Sequence, residues 1–330
     1  MVRSTTIKRQ LENNKQGPNS TLDNLLLKIN AKLNEINSNL HVPENIEKFF
    51  SRGSRIMYVG IDLCHPPAGT NDQRSIVAAV ASTDVIPNRY FKEIYIQNRF
   101  SFNPKKRIEY VVQMKEIMKS LIRQYYDKHQ EQPPKAIVIY RDGISESEFD
   151  MVLEREMMAT RKACVELSSD YQPYLTYIVV NKRHHTRFLP MHLNGNIEAG
   201  TVIDSHDVTN ATTCDFFLKS HNYRVPGTSR PIHYHVLYDD NKLKLDEIQM
   251  LTYALCFLYA RTTCAISIPT PVRYANLLAE RTKYYIPAWH LLDKKKTELQ
   301  SNVEEDNEQI NFNMQIHLSK NVAGDVPFFV

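Results

Sequence analysis

The amino-acid sequence predicts a mixed α/β sheet flanked by helices, and three observations lead there. Ile56–Ile61, Ser75–Ser82 and Tyr90–Gln97 are apolar or alternating runs joined by short connections, which suits antiparallel neighbours. Further on, Ala136–Tyr140 and Tyr174–Val180 are uncharged runs that alternate with helical patterns. Two of these strands empty into an aspartate, Asp62 and Asp142, and a carboxylate at a buried strand end needs a partner or a metal.

Composition sets the class. With 42% hydrophobic and 24% charged residues the chain is globular. The net charge of +4, from 41 basic and 37 acidic residues, is too small to signal a polyanionic partner by itself. Any basic site has to come from local clustering. The cysteines at 64, 164, 214, 256 and 264 are dispersed and show no metal-type or redox-type spacing, which fits a reducing compartment. No apolar run has the length of a membrane span, and MVRSTTIKRQ lacks the apolar core of a signal peptide. The expectation is a soluble, cytoplasmic protein, with the nucleus also compatible and no membrane partner.

In chain order, Ser20-Thr-Leu-Asp23 has the form of a capping box opening a helix, with Leu22, Leu25, Leu26, Ile29 and Leu33 on its apolar face and Lys28 and Lys32 on another. Two such lysines are either a solvated surface or half of an anion pocket. Asn37–Gly53 is polar and reads as a linker. After the third strand, Pro104 is expected to open a helix with Glu109 in its first turn, where a carboxylate suits the dipole. A second helix is expected over Glu146–Leu167. Tyr174–Val180 then empties into Asn181-Lys-Arg-His-His-Thr-Arg187, a cationic loop suited to phosphate. Short strands are expected near Gly200–Asp204, Cys214–Lys219 and Pro231–Tyr238, then a helix over Asp246–Tyr259. The last helix carries Asn276, Arg281 and Lys283, and the part from Leu291 reads as a tail.

Two carboxylates on strand ends, with a third on an intervening helix, form an oxygen-rich set suited to paired Mg²⁺ ions. On a mixed sheet that is a ribonuclease H-like arrangement. The motifs Gly60-Ile-Asp-Leu-Cys-His-Pro-Pro-Ala-Gly69, Tyr140-Arg-Asp-Gly143, Lys182-Arg-His-His-Thr-Arg187, Gly227-Thr-Ser-Arg-Pro231 and His233-Tyr-His-Val-Leu237 together resemble the PIWI domain of an Argonaute protein. Asn24–Leu33 is similar to the end of the MID domain that precedes PIWI. The organisation implied is a MID remnant and linker over 1–50, a PIWI domain over 51–292 and a tail over 293–330.

The resemblance implies roles. Asp62, Glu109 and Asp142 match the catalytic acidic residues, and Asn276 stands where animal slicing members usually have histidine. Asp62, Asp142 and Asn276 would hold Mg²⁺ or Mn²⁺. Lys28, Lys32 and Arg281 match residues that grip a guide 5′ phosphate, and Lys182, Arg183, Arg261 and Ser267 match contacts to the guide backbone. The function implied is binding of a guide small RNA with a 5′ phosphate and recognition of a complementary target RNA in gene silencing, with a metal site that is weak or inactive because of Asn276. Two other readings stand beside it: an active Mg²⁺-dependent slicer endoribonuclease, and a protein-interaction module that docks glycine–tryptophan repeat scaffold proteins without RNA. Measured against a full Argonaute, the resemblance implies that this sequence carries neither the N-terminal and PAZ domains nor most of MID, as a fragment, a truncated gene model or a divergent short form would. The expectation is therefore an incomplete phosphate pocket and exposed apolar surface beside Leu22–Leu33.

Overall fold

The computed structural model describes residues 20–66, 74–100, 107–190, 195–210, 213–222 and 227–284. Pro67–Gly69, Pro104 and the tail from Leu291 lie outside them. Eight strands form one sheet: β1 (Ile56–Cys64), β2 (Arg74–Ser82), β3 (Tyr90–Asn98), β4 (Ala136–Asp142), β5 (Tyr174–Asn181), β6 (Thr201–Ile203), β7 (Cys214–Lys219) and β8 (Ile232–Asp239). Their spatial order is β3-β2-β1-β4-β5-β8-β7-β6. The centre, β1-β4-β5, is parallel, and antiparallel strands extend it on both sides. This is the expected mixed sheet flanked by helices.

Strand alternation decides what each face carries. On one face Met57, Val59, Ile61, Ile137, Ile139, Leu175, Tyr177 and Val179 pack against α2 (Met114–Lys128) and α4 (Met158–Leu167). On the other, Tyr58, Val138, Tyr140, Ile178 and Val180 meet α5 (Leu245–Leu255) and the start of α6 (Thr270–Thr282). Asp62 shares the parity of Tyr58, and Asp142 that of Val138 and Tyr140. Both carboxylates therefore belong to the face covered by α6. Ile61 lies beside Arg141 in the β1–β4 register, so Asp62 and Asp142 follow as neighbours at the same end of adjacent strands. Helix α6 comes this close because β1 has glycine beneath it: a Cβ on Gly60 would lie 2.2 Å from the Pro271 carbonyl.

Three elements differ from the sequence expectation. The helix expected from Pro104 starts only at Met114, leaving Glu109 in an irregular stretch before it. Side chains capture the backbone groups there. Arg141 Nη2 donates to the Glu109 carbonyl at 2.9 Å, Val111 N donates to Glu156 Oε1 at 2.8 Å, and Gln97 bonds both Tyr110 O and Val112 N. The helix over Glu146–Leu167 is broken: a 3₁₀ turn at Glu146–Glu148, one α turn (α3, Phe149–Val152), a π turn at Leu153–Met157 and then α4. The π turn puts Glu156 in the core at 0% exposure. The polar linker also contains a 3₁₀ helix, Glu44–Phe50, because Ile46, Phe49 and Phe50 are buried beside Tyr58. Phe49 accepts the Tyr58 hydroxyl through its carbonyl at 2.9 Å.

Helix α1 (Ser20–Lys32) docks on the α6 side of the sheet. Ala31 is buried with Tyr259, Tyr274 and Leu278, Asn37 Nδ2 donates to Ala260 O at 2.6 Å, and Arg89 Nε donates to Asn34 O at 3.0 Å. Leu26, Ile29 and Leu33 remain exposed on it.

Candidate active site and anion cleft

Asp142, Asn276 and Lys182 meet at the ends of β4 and β5 under α6. Asn276 Nδ2 donates to Asp142 Oδ2 at 2.8 Å. The Lys182 ammonium donates to the same Asp142 oxygen and, at 3.0 Å, to Asn276 Oδ1. Asp142 and Asn276 are buried, and Lys182 is half-buried. Asp62 joins them electrostatically. Burial and the nearby Asp142 charge raise its pKa from an ordinary 3.8 to about 6, against the opposing pull of Lys182, Arg141 and Lys283. Loss of solvation is the larger cause of the rise, and the Asp142 charge adds to it.

Glu109 is held apart. His65 Nε2 donates to its Oε2 at 2.8 Å, since an ionised carboxylate only accepts, and His65 Nδ1 lies 2.7 Å from Ser75 Oγ. That hydrogen bond is the main reason the Glu109 carboxyl sits below its usual range. Among the described residues, Asp62, Glu109 and Asp142 do not gather as three carboxylates with ligand atoms within 4.8 Å of one another. Of the four residues matched to catalysis, the fold thus brings Asp62, Asp142 and Asn276 together and leaves Glu109 on His65. A hard divalent cation suits the oxygens of that trio.

Beneath the pocket lies a buried frame that sequence reasoning missed. Arg141, 1% exposed, is held by Glu156 with three contacts of 3.3 Å, and Tyr177 Oη donates to Glu156 Oε2 at 2.5 Å. The same guanidinium donates to the carbonyls of Asp142, at 2.6 Å, and Glu109. One buried cation thereby fixes the backbone of both acidic segments. The available signal was a charge inside an otherwise apolar strand, which requires a buried counter-charge.

A second cluster is cationic. Lys28 is lowered below its ordinary pKa by burial and then by Arg261 and Arg281. Lys32 is lowered by burial, Arg281, Lys28 and Arg261. Residues from three distant parts of the sequence therefore repel one another across the α1–α6 cleft, an arrangement that a bound anion relieves. Lys182, expected with the guide-backbone contacts, sits in the carboxylate pocket instead. Arg183 is exposed, with its backbone N–H on Asn181 Oδ1, and Ser267 is half-buried in the segment between Arg261 and α6.

Comparison with known proteins agrees with this fold. The family model described as the Piwi domain matches residues 1–287. The C-terminal lobe of a budding yeast Argonaute superposes with a TM-score of 0.73 at 26% identity, over 93% of this chain and 60% of that one. Kluyveromyces polysporus Argonaute, solved with a guide RNA, gives 0.70 at 27% identity, over 82% of this chain and 31% of that one. Drosophila Piwi gives 0.62 at 28% identity, over 78% of this chain and 32% of that one. The chain thus spans less than two thirds of each of these structures.

Proposed function

The chain belongs to the Piwi-domain family, and from that premise we propose that it holds a small guide RNA by its 5′ phosphate and presents it for pairing with a complementary target RNA in gene silencing. The observation that carries this reading is the mutual repulsion of Lys28, Lys32, Arg261 and Arg281 in one cleft. A terminal phosphate supplies a counter-charge to this cluster and distinguishes a 5′ end from internal backbone. Such contacts carry affinity without reading sequence, and base pairing by the guide then chooses the target.

The carboxylate pocket serves this function as a weak or silent cleavage site. Asp62, Asp142 and Asn276 would hold Mg²⁺ or Mn²⁺, and the ion when bound would polarise a phosphodiester and activate water. The residues themselves are arranged for something less than paired-metal hydrolysis. Glu109 is engaged by His65, Asn276 turns its amide nitrogen to Asp142 and its oxygen to Lys182, and Asn276 has no titratable nitrogen. Misplacement of one catalytic group can cost about a hundredfold in rate.

Filter binding tests the reading. A 5′-phosphorylated short RNA is expected to bind with a salt-dependent affinity that falls about tenfold or more for the 5′-hydroxyl RNA and for Arg281→Glu with Lys28→Glu. Equal binding of the two RNAs, unchanged by those substitutions, overturns it and favours a protein-interaction module. Guide-programmed cleavage in Mg²⁺ and Mn²⁺ tests the second part. Robust cutting that Asp142→Ala abolishes would make the chain a slicer, whereas cutting that appears only in Asn276→His identifies the ligand that limits it.

A further inference from the structure

Strands β7 and β8 carry a chemistry that RNA binding and the carboxylate pocket do not use. Asp215, Phe217, His233 and His235 share one face of this antiparallel pair, with Asp215 opposite His235 and Phe217 opposite His233. The His233 ring lies flat on Phe217, centroids 3.8 Å apart, and 3.9 Å from the His235 ring. Both imidazoles are buried, at 9% and 5% exposure. Two buried imidazoles in contact add nothing to a hydrophobic core that phenylalanine would not supply better.

Their hydrogen bonding is lopsided. His233 Nε2 donates to Asp215 Oδ2 at 2.6 Å, and Asp215 Oδ1 accepts from Asn210 N at 3.0 Å. That carboxylate fixes the proton of His233 on Nε2, so the lone pair of the neutral ring is on Nδ1. A carboxylate–imidazole pair of this kind is how metal-binding histidines are oriented. His235 Nε2 has no hydrogen-bond partner although it is buried. The nearest charged group to face it is Glu146 Oε1 at 3.8 Å, too long for a hydrogen bond. Glu146 stands on the exposed 3₁₀ turn just past Asp142, so its carboxylate has room to move, whereas both histidines are buried. Glu146, His233 and His235 each offer a ligand atom within 4.8 Å of the others.

We propose that Glu146, His233 and His235 form a transition-metal site of the type that takes Zn²⁺, separate from the carboxylate pocket. The donor set is two imidazole nitrogens and one carboxylate, with a further position left for water, which suits a borderline cation rather than Mg²⁺. Zinc bonds of about 2.0–2.1 Å need ligand atoms roughly 3.3 Å apart, so the three atoms, within 4.8 Å of one another, draw closer on binding, the exposed Glu146 carboxylate moving most. The unpartnered Nε2 of His235 gains its partner in the process. The ion would also staple the turn after Asp142 to β8, limiting the motion of that strand end.

The test uses the full chain, stripped with a chelator and titrated with Co²⁺ alone. Cobalt on imidazole in a four- or five-coordinate site gives an intense visible d–d band, whereas an all-oxygen octahedral site gives only a faint one. One equivalent of band-forming Co²⁺ is expected, displaced by Zn²⁺ and unaffected by Asp62→Asn. Glu146→Gln, on an exposed turn, is expected to weaken Co²⁺ about tenfold or more, His235→Phe to abolish the band, and Asp215→Asn to weaken it about 10–100-fold. An absent band in the wild type overturns the proposal. So does a band of unchanged affinity in Glu146→Gln or in folded His235→Phe, or one lost in Asp62→Asn, which would assign the ion to the carboxylate pocket. Should His235→Phe fail to fold, Glu146→Gln decides.

Discussion

The carboxylate pocket and the cation cleft are both built from like charges, but at different depths, and depth determines which partner each can take. Asp142 is buried and Asp62 half-buried at the ends of adjacent strands, and loss of solvation, with the Asp142 charge added, makes Asp62 hold its proton up to about pH 6. Lys28, Lys32, Arg261 and Arg281 meet at the surface between α1 and α6, and both lysines have lowered pKa values, from partial burial first and from the neighbouring cations second. A narrow, buried site of oxygens accepts a small hard cation. An open cleft of long side chains accepts a polyanion that stays half in water. The difference extends to what holds each region in place: the pocket rests on the buried Arg141–Glu156–Tyr177 frame, while α1 brings its lysines to the cleft with a few surface hydrogen bonds and Ala31.

The largest predicted effect breaks that asymmetry. Glu156→Ala removes the counter-charge of a fully buried guanidinium and the acceptor of Val111 N and Tyr177 Oη, and is expected to cost about 3–5 kcal/mol in urea denaturation. Lys28→Ala removes a cation repelled by its neighbours and is expected to stay within about 0.5 kcal/mol of wild type. Equal losses for the two would mean that the cleft is part of the folding frame and not a site held open for an anion.

How far the sequence disclosed these regions follows from the range of the interactions. The strands were legible because apolar runs bounded by Pro, Gly and charged residues are local signals. The two aspartates at strand ends were legible for the same reason. The central parallel order and the Ile61–Arg141 register depend on pairings across many residues, which no local pattern states. Glu109 was placed on a helix because its neighbours have helical spacing, yet Arg141, Glu156 and Gln97 capture the backbone there and delay the helix to Met114. Lys182 was placed with phosphate contacts by its cationic neighbours, but its flexible stem lets the ammonium turn back to Asp142 while Arg183 faces out. The cation cleft joins residues 28 and 281, so only the family resemblance could have assembled it from sequence.

The second prediction sharpens the comparison with pH, because the two regions titrate in opposite senses. Divalent-metal affinity at Asp62–Asp142 requires both carboxylates ionised, so it is expected to rise about tenfold per pH unit below about 6 and to level off above it, as isothermal titration with Mn²⁺ would show. The stability of the metal-free chain moves the other way. Folded Asp62 keeps its proton up to about 6 and the unfolded chain only up to 3.8, so this group's contribution is greatest at low pH and falls as pH rises through that window. Phosphate binding in the cleft needs protonated lysines, whose pKa values lie below the ordinary 10.5. Binding of 5′-phosphorylated RNA is therefore expected to weaken on the alkaline side before an ordinary lysine would lose its charge. Metal and RNA affinities that followed the same pH curve would contradict the division into two sites.

The smallest effect concerns the residue that links the regions, Lys182, a cation expected among phosphate contacts and found in the carboxylate pocket. Its ammonium bonds Asp142 and Asn276 and favours the charged form of Asp62. Lys182→Met removes both influences, and they act on metal binding in opposite directions. Without the ammonium, Asp62 holds its proton to a higher pH, so the acid limb of Mn²⁺ binding shifts upward. At a pH where both carboxylates are ionised in wild type and variant, the competing cation is gone and Mn²⁺ is expected to bind about fivefold more tightly, the scale of a partly exposed ion pair. The two binding curves then cross, a result that neither loss of fold nor a general change in surface charge produces. Arg183→Met serves as the control, because Arg183 is exposed and engages Asn181 only through its backbone N–H. If Lys182→Met leaves both limbs where they were and instead weakens RNA binding, the ammonium belongs to the cleft in solution and the pocket stands without its protein cation.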